Sequence, residues 1–235
     1  MTITDMRQRT RIKLCGLTRP EDVEHAVAAG ADAIGLVFYP PSPRNISLTQ
    51  AAVLARLVPP FVTTVGLFVN PTAEQLEQAS TAARLSLLQF HGDETPEQCH
   101  ALARAVKRPF LKAFRVRPDT KPADLLEYDR ICRAGGDLYS ALLLDTWVDA
   151  YGGGGKVFDW SLIPEELAPR VVLSGGLNVQ NATEAVLRVQ PYAVDVSSGI
   201  ERGKGIKDGE KMRAFVGAVR RADASLYHGI PEGTP

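Results

Sequence analysis

IKLCGLTRPEDVEHAVAAGADAIGLVF (residues 12–38) is the stretch on which the fold turns. It opens on a short apolar run, IKLC (12–15), and closes on another, AIGLVF (33–38). Between them Thr18-Arg-Pro-Glu21 reads as a capping box, and Val23, Ala26, Val27 and Gly30 fall on one helical face, with Gly30 suited to the exit turn. The runs are nearly continuous in apolar residues rather than alternating. That pattern belongs to parallel strands covered by helices on their outer face.

The same alternation continues outward to the far end of the chain. Further strand candidates are TVGLFV (64–69), LSLLQF (85–90), FLKAF (110–114), ALLLD (141–145), VVLS (171–174) and AVDV (193–196). Ser47-Leu-Thr-Gln50 and Thr95-Pro-Glu-Gln98 are two more capping boxes, and Asn70-Pro71 places a capping side chain before a helix-starting proline. Eight strand–helix units result, the last helix lying near 207–222, and eight is the closing number of a parallel (β/α)8 TIM barrel. The expected organisation is an α/β single-domain barrel over 11–223, with tails at 1–10 and 224–235. A doubly wound sheet is the competitor, but no glycine-rich dinucleotide fingerprint follows the first strand.

Composition narrows the function. The 235 residues carry 27 Lys+Arg against 27 Asp+Glu, so no net basic charge favours nucleic acid or an anionic membrane as partner. Cys15, Cys99 and Cys132 are odd in number and widely spaced, which gives neither a disulfide framework nor a zinc pattern, and no His/Asp/Glu cluster has metal-ligand spacing. No apolar run is long enough to cross a bilayer, and the first residues lack the apolar core of a signal peptide, so a cytoplasmic protein is expected.

In such a barrel the chemistry sits at the C-terminal ends of the strands. Cys15 closes the first strand, His91 follows the fourth, Asp145 closes the sixth, Asp195 lies in the eighth, and Arg44 lies in the proline-rich loop after the second. By strand parity Lys13 shares the face of Cys15, and its ammonium is expected to lower the thiol pKa. The alternative for Cys15 is a small buried hydrophobe. Asp145, ending an apolar run, pairs with a cation, caps a backbone group or does chemistry. Ser174-Gly175-Gly176 and Ser197-Ser198-Gly199 stand where barrels of this type hold phosphate, with a helix capped by Asn178 after the first loop; the alternative is that these glycines serve only tight turns. Gly152–Gly155, before Lys156, is not a Walker motif and reads as a flexible or anion-approaching loop in which Gly154 is a candidate site-lining residue. His25 and His100 in helices and His228 in the tail are expected at the solvated surface.

Eight motifs in order, KLCGLT (13–18), GLVFYPPSPRNIS (35–47), VGLFVN (65–70), QFHGDE (89–94), LLLDT (142–146), GGGGKVFDW (152–160), LSGGLN (173–178) and VDVSSGIE (194–201), make the chain resemble the phosphoribosylanthranilate isomerase family of tryptophan biosynthesis over about 12–208. The resemblance implies a (β/α)8 fold, no cofactor and a small-molecule phosphoribosyl substrate; the sequence leaves monomer or homodimer open. It implies Cys15 as general base, Asp145 as general acid and Arg44 as the receiver of the anthranilate carboxylate. Gly175, Gly176, Ser197, Ser198 and Gly199 match the phosphate loops, while His91 and Asp195 match site positions of less defined role. GKGIKD (203–208) lacks a proline common in the family. The reaction, an Amadori rearrangement, needs an acid at the ring oxygen and a base at C2, which suits Asp145 if burial raises its pKa. A flavin-dependent oxidoreductase barrel and a non-catalytic phosphosugar-binding barrel remain as alternatives.

Overall fold

Eight parallel strands close into a ring in chain order: β1 (Arg11–Cys15), β2 (Ala33–Val37), β3 (Thr63–Phe68), β4 (Leu87–Phe90), β5 (Phe110–Val116), β6 (Tyr139–Thr146), β7 (Val172–Leu173) and β8 (Ala193–Val196). The computed structural model describes residues 9–148 and 157–227. β8 pairs back onto β1, with Ile12 opposite Val194 and Lys13 opposite Asp195. Parallel strands alternate their side chains between the barrel interior and the helix layer. Ile12, Leu14, Ile34, Leu36, Leu88, Phe90, Leu142 and Leu144 pack outward into one large apolar cluster with the helices, while Leu111, Ala113, Leu143, Val172 and Ala193 form a smaller cluster inside.

The helices are α1 (Pro20–Ala29), α2 (Leu48–Ala55), α3 (Ala73–Ala82), α4 (Pro96–Val106), α5 (Pro122–Ala134), α6 (Ala182–Val189) and α7 (Gly209–Tyr227). Among the described residues this is one α-helix fewer than eight units require. Between β6 and β7 the described residues hold only two 3-10 turns, Trp160–Leu162 and Ala168–Arg170. Pro164 and Pro169 in this segment remove backbone donors that a helix needs. α7 also runs to Tyr227, past the boundary expected at 223, and a two-stranded hairpin, β9 (Glu201–Gly203) with β10 (Ile206–Lys207), precedes it.

The capping boxes at Ser47/Gln50 and Thr95/Gln98 form as expected, each with reciprocal side-chain to backbone bonds. Three other caps are displaced. Thr18 donates its hydroxyl to Gly205 O, and Arg19 is the N-cap of α1, where the Asp22 carboxylate reaches back to the Arg19 N–H. Asn70 takes a left-handed φ of 49° and accepts the Asp93 N–H, so α3 starts two residues later, boxed by Thr72 and Gln75. Asn178 closes a turn on Gln180, and Asn181 stands at the helix N-cap. His100 is not solvated: it is buried between α4 and α5, with Nε2 2.7 Å from Cys132 O. The first and last elements of the chain are tied together, since the Asp223 carboxylate on α7 accepts both the N–H and the hydroxyl of Thr10.

Candidate active site

At the C-terminal mouth of the barrel one pocket is lined by Cys15, Arg44, His91, Asp145, Asp195, Gly175, Gly176, Ser197 and Ser198. These residues come from six different loops and strand ends, which only closure of the ring brings together. Gly199 stands aside from the lining and bridges to Asn178, joining the two glycine loops. Gly154 lies outside the described residues.

Cys15 is buried at the end of β1, and room for its sulfur is left by its neighbour on β2: a Cβ on Gly35 would stand 2.6 Å from Sγ. Lys13 lies on the same face, as parity requires, but does not line the pocket. Its Nζ is 2.8 Å from Asp195 Oδ1, and both side chains are buried. For Lys13 burial works to lower the pKa, but Asp195 and Cys15 together outweigh it and the net shift is upward. For Cys15 burial is the largest influence and pushes the thiol up; Lys13 pulls it down, Asp195 pushes it up again, and the net shift is upward from 9.0. The expectation of a thiol lowered by Lys13 is therefore corrected. The ammonium is there, but its charge is already partnered by Asp195, and desolvation of the thiolate prevails.

Asp145 is the penultimate residue of β6, with Oδ1 accepting the Thr146 N–H at 2.8 Å. Its Oδ2 is 3.0 Å from His91 Nε2, off the line of a hydrogen bond. His91 Nδ1 lies 3.0 Å from Gln89 Nε2. Gln89 lines the pocket and was missed in the sequence, although the inward parity it shares with His91 marks it. Gly175 and Gly176 have φ of 80° and 68°, and a Cβ on Gly175 would come within 2.6 Å of Thr146 N and 2.9 Å of Asp145 Oδ1. The strand-seven loop can thus lie against the carboxylate only as glycine. Ser197 Oγ donates to Cys15 O at 3.1 Å and seats the strand-eight loop on β1.

Arg44 reaches the pocket but is not open on all sides: Nε and Nη2 hold Glu201 at 2.6 and 2.9 Å. Among the described residues no group of three or more His, Cys, Asp or Glu side chains could hold a metal ion. No helix among them is long and apolar enough to cross a membrane.

A closed barrel whose mouth gathers a thiol, a carboxylate, an arginine and two glycine loops defines a (β/α)8-barrel enzyme. A family model for N-(5'-phosphoribosyl)anthranilate (PRA) isomerase matches residues 12–218. The chain belongs to the N-(5'-phosphoribosyl)anthranilate isomerase family. It is 62% identical over 221 residues to the N-(5'-phosphoribosyl)anthranilate isomerase of Herminiimonas arsenicoxydans, covering 94% of this chain and 97% of the relative. The isomerase of Ralstonia nicotianae is 58% identical, with 93% and 96% covered. Among solved structures, that of the Thermotoga maritima phosphoribosyl anthranilate isomerase matches with a TM-score of 0.78 and 39% identity, covering 90% of this chain and 99% of that one. Another phosphoribosyl anthranilate isomerase, solved with reduced 1-(o-carboxyphenylamino)-1-deoxyribulose 5-phosphate, matches with a TM-score of 0.75 and 36% identity, covering 90% and 99%. The flavin-dependent and non-catalytic alternatives give way to this membership.

Proposed function

We propose that this chain isomerises N-(5'-phosphoribosyl)anthranilate to 1-(2-carboxyphenylamino)-1-deoxyribulose 5-phosphate, with Asp145 as general acid and Cys15 as general base. The observation that carries the assignment is the shared pocket, where a thiol and a carboxylate face the same space beside the two glycine loops. The related structure holding the reduced product supports the substrate class. Asp145 gives a proton to the furanose ring oxygen, and the C1–O bond breaks as the nitrogen lone pair forms the imine. Cys15, as thiolate, takes the C2 proton to leave an enolamine; C1 then gains a proton as the C2 hydroxyl loses one, giving the ketone. Substrate and product are isomers, so no oxidant or cofactor enters the balance.

The loops at Gly175–Gly176 and Ser197–Ser198 receive the phosphate, and Arg44 receives the anthranilate carboxylate through the guanidinium edge that Glu201 leaves unused. A cytoplasmic location is part of this proposal, supported by the biosynthetic family. The direct test is the fluorescence of the substrate, followed as purified protein consumes it; no decay above the spontaneous rate rejects the assignment.

Arg44→Ala should act on KM, because the substrate carboxylate is present in ground and transition states alike. A charged hydrogen-bonded pair contributes roughly 1.5–3 kcal/mol, so KM is expected to rise about ten- to a hundredfold. Arg44→Lys should recover only part of this, since a point charge replaces a fork. A fall in kcat alone, with KM unmoved, would reject the role. Turnover is also expected to survive exhaustive dialysis against a chelator, and activity lost there but restored by a divalent ion would overturn the metal-free scheme.

A further inference from the structure

Behind Arg44 stands a row of buried charges that the scheme above leaves unused. Glu201 grips the Nε–Nη2 edge of Arg44, and its Oε1 also accepts from Lys207 Nζ at 2.9 Å. That ammonium donates in turn to Ser197 O at 2.9 Å and to Ser197 Oγ at 3.2 Å. The side chains of Arg44, Glu201 and Lys207 are 12, 7 and 0% exposed. Arg44 lines the pocket, whereas Glu201 and Lys207 do not.

Two cations share one carboxylate here, so the cluster is one negative charge short of neutral. A buried charge is stabilised by a partner, and a carboxylate arriving from the pocket supplies the missing one. Glu201 sits on the far side of the guanidinium and does not compete for the edge that this ligand would use. It also separates two like charges: burial is the main influence lowering the Lys207 pKa, Glu201 opposes it, and Arg44 adds to it.

We infer that Glu201 is a positioning residue: anchored by Lys207 to the Ser197 loop, it orients Arg44 so that the free edge of the fork meets the substrate carboxylate. This rests on the reading of Arg44 given above. Without the Glu201 charge, Arg44 loses its fixed rotamer and is repelled by Lys207, so binding must include the ordering that the protein now holds in advance.

The test is steady-state kinetics of Glu201→Gln, Glu201→Asp, Arg44→Ala and the Glu201→Gln/Arg44→Ala double variant, each with its thermal unfolding recorded. Glu201→Gln is expected to raise KM about tenfold with kcat within about twofold of wild type. In the Arg44→Ala background the same change should leave KM where Arg44→Ala alone puts it, because its effect passes through the guanidinium. Glu201→Asp keeps the charge but is one methylene short of a bidentate grip, so KM should rise there too; this variant carries the test if Glu201→Gln does not fold. A wild-type KM in the folded Glu201 variants, or effects of Glu201→Gln and Arg44→Ala that multiply, overturns the inference. A wild-type KM in Arg44→Ala alone is a different result: it removes the carboxylate role of Arg44 and the positioning role with it.

Discussion

Asp145→Asn is expected to lower kcat by about 10²–10⁴-fold, the range that a positioned general acid contributes. The amide cannot give a proton to the ring oxygen, yet its oxygen can still accept the Thr146 N–H that Oδ1 accepts now. The fold and the affinity for a phosphorylated product analogue should therefore stay close to wild type, which separates lost chemistry from lost structure. His91 is near enough to matter, with Nε2 3.0 Å from Oδ2. A variant that keeps more than about a tenth of wild-type kcat, with chemistry shown to be rate-limiting, would take Asp145 out of the mechanism.

Cys15→Ser is expected to cost kcat a similar factor, about 10²–10⁴-fold, because a hydroxyl is a far weaker base in the same geometry. The pH behaviour of the native thiol gives the sharper result. Burial raises its pKa above 9.0, so the thiolate fraction in the free enzyme is small at neutral pH and grows as pH rises through 9 and beyond. Alkylation of Cys15, and kcat/KM with it, should climb along that limb rather than level off near pH 7. Cys99 and Cys132, both pushed up to about 12 by burial, lie in the apolar cluster away from the pocket and should stay unmodified. A bound product analogue should shield Cys15. Peptide mapping beside residual activity decides the matter: inactivation that tracks Cys99 or Cys132, or a Cys15→Ser variant of normal turnover, places the base elsewhere.

The strands were readable from the sequence because buried parallel strands are short continuous apolar runs, and each expected run lies on or overlaps an observed strand. Helix starts were readable only where the cap was local. Ser47 and Thr95 found their partners three residues on, whereas Thr18 was drawn to a carbonyl 187 residues away and Asn70 to a neighbouring loop. The absence of a helix between β6 and β7 among the described residues was signalled by Pro164 and Pro169, inside a segment read as one more unit. Strand parity placed Lys13 on the face of Cys15, and the end of an apolar run marked Asp145. What it could not supply was the company they keep. Asp195, 182 residues from Lys13, takes up the ammonium, and Glu201, 157 residues from Arg44, occupies half of the fork. Such pairings arise from ring closure, which no local pattern records.

The seam where β8 meets β1 has a further bearing on how the molecule comes into being. Lys13–Asp195, Cys15–Ser197, Arg44–Glu201 and Thr10–Asp223 all join the beginning of the chain to its final units. A ribosome delivers these partners at opposite ends of translation. Until residues 193–196 emerge, β1 and β7 are open edges, and unpaired edges of nascent sheets invite association between chains. The pocket therefore comes into existence only when the last unit docks. A chain interrupted before that point carries Cys15 and Asp145 but not the pocket they share, and is expected to show no turnover.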